Sequence, residues 1–88
     1  MTWRVEFTRT AEKQIVRLDR QSQSTILGYM RERVQPSLNP RQFGKALHGP
    51  KRGLWRYRAG DYRIVCDIQD QEFTGLVLAV AHRKDVYR

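Results

Sequence analysis

Leu54-Trp-Arg-Tyr-Arg-Ala-Gly-Asp-Tyr-Arg-Ile-Val-Cys-Asp67 is the stretch that decides the fold. It reads as two strands joined by a tight turn at Ala59-Gly60-Asp61, and strand alternation sorts its side chains. In the first strand Arg56 and Arg58 share one face, and Trp55 and Tyr57 take the other. In the second, Tyr62, Ile64, Cys66 and Ile68 share a face opposite Arg63, Val65 and Asp67. A hairpin that buries one face in a core and shows arginines on the other is a platform for anions.

Toward the N-terminus, Trp3 to Phe7 alternates with period two and predicts a strand, after which Thr8 or Thr10 can cap a helix. Ala11, Ile15 and Leu18 then recur at helical spacing, with Glu12, Lys13 and Arg17 on the solvent side. Asp19 to Ser24 is polar and is expected to break the pattern. A second helix carries Ile26, Met30 and Val34, and Pro36 and Pro40 end it. Residues 36–53 read as a connector in which Phe43 and Leu47 dock on the core edge while Arg41, Lys45, Lys51 and Arg52 stay in water. Beyond the hairpin, Gln69 to Gln71 make a turn and Phe73 to His82 is the last strand. Its near-continuous apolar run from Leu76 to Ala81 predicts an interior position. The expected fold is α+β: one domain over residues 1–88, an antiparallel sheet in the order β-α-α-β-β-β, and an N-terminal helical hairpin on one face.

The chain has 88 residues, 17 Lys plus Arg against 9 Asp plus Glu, and a net charge of +8, which favours a polyanionic partner. The single cysteine, Cys66, excludes an internal disulfide and reads as a small buried hydrophobe. No apolar block opens the chain as a signal peptide would, and the longest apolar run is far short of the ~20 residues of a membrane span. A soluble, cytoplasmic protein is expected.

The two His and one Cys lack metal-ligand spacing, the serines lie in polar turns, and no Gly-rich loop opens a helix as a phosphate cradle would. Neither a metal nor an organic cofactor is therefore expected. What remains is a basic set at strand positions and turns: Lys51, Arg52, Arg56, Arg58, Arg63, His82, Arg83 and Lys84, with Tyr87 nearby. Such a set suits RNA cleavage, which needs no metal because the 2′-hydroxyl is an internal nucleophile. Guanidiniums can stabilise the phosphorane, and a His or Tyr can carry a proton or stack on a base. Any one Arg could instead make a cross-strand ion pair with Asp61 or Asp67.

Lys45-Ala-Leu-His-Gly49, Leu54-Trp-Arg-Tyr-Arg58, Asp61-Tyr-Arg-Ile-Val65 and Ala81-His-Arg-Lys-Asp-Val-Tyr87 together resemble the RelE/ParE superfamily of bacterial toxins, across essentially the whole chain. The RelE branch, which cleaves mRNA on the ribosome, is the nearer likeness. The resemblance implies catalytic roles for Arg56, Arg63, Arg83 and Tyr87, to which His82 is added as a proton carrier; Lys45, Lys51, Arg52, Arg58 and Lys84 are the candidate RNA contacts. Leu54 stands where a relative has a second lysine and Arg56 where it has the principal one. Arg56 would then be a charge clamp rather than a base, because guanidinium rarely releases its proton, and His82 would supply the proton transfer. Little or no C-terminal helix of the kind some relatives use is expected after Tyr87. The resemblance also implies ribosome and mRNA as partners, and an acidic RelB-like antitoxin that folds over the basic surface in a hetero-oligomer. The alternatives are a non-enzymatic ParE-like poison of DNA gyrase and a plain nucleic-acid-binding module.

Overall fold

Alternation in the quoted stretch becomes a hairpin of β3 (Trp55–Ala59) and β4 (Tyr62–Gln69), closed by the two residues between paired Ala59 and Tyr62. Gly60 occupies the left-handed region at φ 58°, which such a short loop requires and glycine adopts without penalty. The structure, a computed structural model, describes residues 2–85, so Tyr87 lies outside the described residues.

The remaining elements are β1 (Arg4–Phe7), α1 (Arg9–Val16), α2 (Arg20–Tyr29), β2 (Lys45–Ala46) and β5 (Thr74–His82). Thr8 caps α1, its Oγ1 accepting from the Ala11 N–H at 3.2 Å and donating to the Leu78 carbonyl at 3.1 Å. The helix start is thereby tied to β5. Asp19 to Ser24 is not a break. Asp19 caps α2 by accepting from the Ser22 N–H at 3.2 Å, and the polar residues after it form the solvated first turns. At Met30 the helix widens into a π-helical turn, Met30–Val34, closed by the Gln35 N–H on the Met30 carbonyl at 2.9 Å. Ile26, Met30 and Val34 all stay buried across that change.

The sheet has five strands in the order β1-β5-β4-β3-β2. Two expectations are corrected here. A two-residue strand, β2, adds a fifth strand inside the connector and pairs with β3. Two exposed residues carry no periodicity to read. The sheet is antiparallel only from β2 to β5, since β1 runs parallel to β5. The helices carry the chain from one sheet edge to the other, so the first strand ends beside the last and in its direction.

Opposite Val65 and Cys66, β5 supplies Ala79 and Val77 and leaves Leu78 as the extra residue of a bulge. That irregularity lets Val77 and Val80, three residues apart, both face the helices. The core joins Tyr57, Ala59, Ile64, Cys66, Val77 and Val80 of the sheet to Ala11, Ile15, Ile26, Met30 and Val34 of the helical layer. Tyr57 is 1 % exposed, and its hydroxyl donates to the Pro40 carbonyl at 2.8 Å, pinning the connector to β3.

Candidate functional site

The opposite side of the same hairpin holds a cavity of about 390 Å³ lined by Phe43, Lys45, Arg56, Arg58 and Arg63. Register explains the concentration of charge. Lys45 of β2 pairs directly with Arg56 of β3, and Arg58 of β3 pairs directly with Arg63 of β4. Directly opposed residues point to the same face with Cβ atoms about 5 Å apart, and like charges there repel. Two such pairs lie side by side, and among the described residues no carboxylate lines the cavity. Such a concentration of positive charge favours an anionic ligand.

Two local features shape this cavity. A Cβ on Gly44 would lie 3.2 Å from both the Arg56 carbonyl oxygen and Cε1 of Tyr57, so glycine lets the connector run this close to β3 without pushing its neighbours aside by a few tenths of an ångström. Phe43 and Lys45, on either side of it, are thereby brought to Arg56. The Arg63 guanidinium donates through Nη1 to the Gly60 and Tyr62 carbonyls, each at 3.1 Å. The tight turn orients the fork while its other N–H groups remain for a ligand.

Arg83 follows β5 and reaches the same turn. Its backbone N–H donates to the Asp61 carbonyl at 2.7 Å, and its Nε lies 3.6 Å from Asp61 Oδ1. Both side chains are more than half exposed, so this ion pair adds little stability. It does place Arg83 at the end of the hairpin that Arg63 approaches.

His82 is placed differently from the rest. It pairs with Tyr62, which alternates away from Arg63, and the two rings meet edge to face at 5.5 Å. Its Nδ1 accepts from the Lys84 N–H at 3.2 Å. The imidazole therefore lies on the helix side of the sheet, not among the cavity residues. Lys51, Arg52 and Lys84 are exposed outside the lining. Of the basic set expected from sequence, the cavity gathers Arg56, Arg58 and Arg63, and Lys45 joins them from the connector; Phe43 was expected only at the core edge. Phe43 does pack against the core, and it also faces the cavity. The signal lay in its position two residues before Lys45, next to a glycine.

Two ionisable groups of the hairpin's core face, Tyr57 and Cys66, are unsuited to chemistry at this site. Burial raises the Tyr57 phenol well above its usual range, and burial pushes the Cys66 thiol up to about 12. A larger cavity, about 450 Å³, lies between the π-helical turn and the connector and is lined by residues including Glu32, Arg33, Leu38 and Phe43. Its opposed charges cancel, so size alone does not make it the site. Among the described residues no three His, Cys, Asp or Glu side chains gather as metal ligands would, and no helix is long and apolar enough to cross a membrane.

Residues 5–87 match the family described as the ParE toxin of type II toxin-antitoxin systems. The toxin RelG of Mycobacterium tuberculosis is 31% identical over 88 residues, covering 100% of this chain and 99% of the relative. The crystal structure of the RelBE2 toxin-antitoxin complex from the same organism superposes with a TM-score of 0.86 at 27% identity, over 97% of this chain and 95% of the other. The archaeal RelE-RelB complex of Pyrococcus horikoshii gives 0.75 at 25% identity, over 98% and 100% of the two chains. The chain belongs to the ParE toxin family of type II toxin-antitoxin systems, within the RelE/ParE superfamily.

Proposed function

We propose that this toxin is a ribosome-dependent endoribonuclease that cuts mRNA in the A site, using the 2′-hydroxyl as nucleophile and no metal. The observation that carries the reading is the pair of opposed cation pairs, Lys45 with Arg56 and Arg58 with Arg63, at the walls of one cavity. Their charge would attract a phosphodiester, and more strongly the extra negative charge of a phosphorane. The 2′-oxygen loses its proton and bonds to phosphorus, and the bond to the 5′-oxygen breaks as that oxygen gains a proton. Arg56 and Arg58 clamp the phosphate. Arg63, oriented by the turn, stabilises the phosphorane, and Arg83 approaches the leaving oxygen from the hairpin end. Tyr87 is assigned proton transfer or base orientation. His82, turned to the helix side, has no direct contact in this scheme. A pocket of guanidiniums holds no strong base, so substrate alignment by the ribosome carries much of the rate. Lys51, Arg52 and Lys84 would add outer contacts to RNA phosphates.

An acidic antitoxin would neutralise the same cavity. Complexes of RelE with RelB among the structural relatives support such a partner. Ribosomal substrate would place the protein in the cytoplasm. The ParE name of the matching family favours the second reading, a gyrase poison. Primer extension on mRNA held on ribosomes with an empty A site, in a buffer that keeps the Mg²⁺ ribosomes need, separates the two. A cut within the A-site codon that disappears with Arg63→Ala is expected. An intact message together with inhibited gyrase would overturn the ribonuclease.

A further inference from the structure

We infer that Phe43 is the stacking platform for a nucleobase, making the cationic cavity a nucleotide subsite rather than a phosphate site alone. The inference rests on reading the cavity as a site for single-stranded RNA. Among the described residues Phe43 is the one aromatic lining the cavity, and the other four are cations. Its ring packs against the core, and its carbonyl accepts from the Tyr29 hydroxyl at 3.4 Å, so two elements hold it in place. Gly44 lets it close on β3, where an alanine Cβ would meet backbone and ring at 3.2 Å. Lys45, the second residue after it, faces Arg56 across the strands.

The volume, about 390 Å³, falls within the ~300–1,000 Å³ of small-molecule pockets. An aromatic face beside guanidiniums matches how single strands are bound, with the base stacked and the phosphate held by charge. Phenylalanine has no polar atom. It therefore reads a π-face and not a base edge, so the subsite accepts every base and favours the larger ring system of a purine. The flanking cations cannot supply that selectivity, because they see the same phosphate whatever the base.

The test is fluorescence anisotropy of the full chain with a labelled 2′-O-methyl trinucleotide, which lacks the nucleophile, and the same oligomer with an abasic centre. Stacking of about 1–3 kcal/mol per base corresponds to roughly 5- to 150-fold in affinity. A base-over-abasic preference in that range is expected for the wild type and for Phe43→Tyr, and its loss for Phe43→Leu. Lys45→Ala should weaken both oligomers equally. If Phe43→Leu fails to fold, Phe43→Met, closer in volume, decides. An unchanged preference in the aliphatic variant, or no binding of either oligomer by the wild type, overturns the subsite. Phe43-dependent preference in a protein that leaves ribosomal mRNA intact would keep the subsite and discard the ribonuclease. Cleavage without such preference would do the reverse.

Discussion

The two faces of the β3–β4 hairpin are built from alternate residues of the same strands, yet they do opposite work. Toward the helices, Tyr57, Ile64 and Cys66 are essentially inaccessible and belong to the core. Toward solvent, Arg56, Arg58 and Arg63 crowd positive charge against Lys45. Apolar burial on one side holds the backbone register that forces like charges together on the other. Core packing and the proposed site are thus separated by one step of strand period, and substitutions on the two faces should separate stability from the proposed activity.

The largest effect should come from the solvent face. Arg58→Ala with Arg63→Ala should lower ribosomal cleavage on the order of 100- to 1000-fold, by analogy with removing a transition-state donor. Thermal stability should hold or rise slightly, since a directly opposed like-charge pair is removed. A large drop in melting temperature instead would break the division of labour. On the core face, Ile64→Ala should reduce unfolding free energy by about 2–5 kcal/mol in urea titration, with salt-dependent RNA binding unchanged below the transition.

Tyr57→Phe gives a smaller core-face effect. The buried Pro40 carbonyl loses its donor, at a cost of about 1–3 kcal/mol, and the connector bearing Phe43 is loosened. This variant sharpens the comparison, because a change in base preference alongside stability would show that the core also sets the cavity edge.

The smallest effect should be the acid response. Ser22, through its side chain and then its backbone N–H, holds the Asp19 carboxyl below its usual range, and hydrogen bonding from Arg41 does the same for Asp70. A folded-state pKa below the unfolded value gives stability that is fully present above the unfolded value, near 3.9, and is lost as pH falls through the folded one. Melting temperature should therefore fall on acidification below about pH 4, and less so in Asp19→Asn with Asp70→Asn. Both carboxylates lie away from the cavity, so charge-dependent RNA binding should not follow that loss.

The hairpin, its turn at Gly60, the Thr8 cap and the helical stripe of Ile26, Met30 and Val34 were legible because each follows from local period or local hydrogen bonding. Asp19 was misread as part of a break because the same residue types favour both loops and helix caps. Strand β2 was invisible in sequence, as only its pairing with β3 makes it a strand. His82 was expected as a proton carrier on its chemistry alone, and only its pairing with Tyr62 shows that it lies on the helix side.

By itself the sequence determined which side chains share a face of each strand, that one face is cationic, and that the chain carries the marks of its toxin superfamily. These depend on a two-residue period and on charge, which need no knowledge of distant contacts. Tertiary structure alone decided that β1 lies parallel to β5, that a bulge at Leu78 turns Val77 and Val80 to the same side, and that Gly44 brings Phe43 and Lys45 to the arginines. Each joins segments far apart in the chain, where register is set by packing and close approach rather than by any local preference.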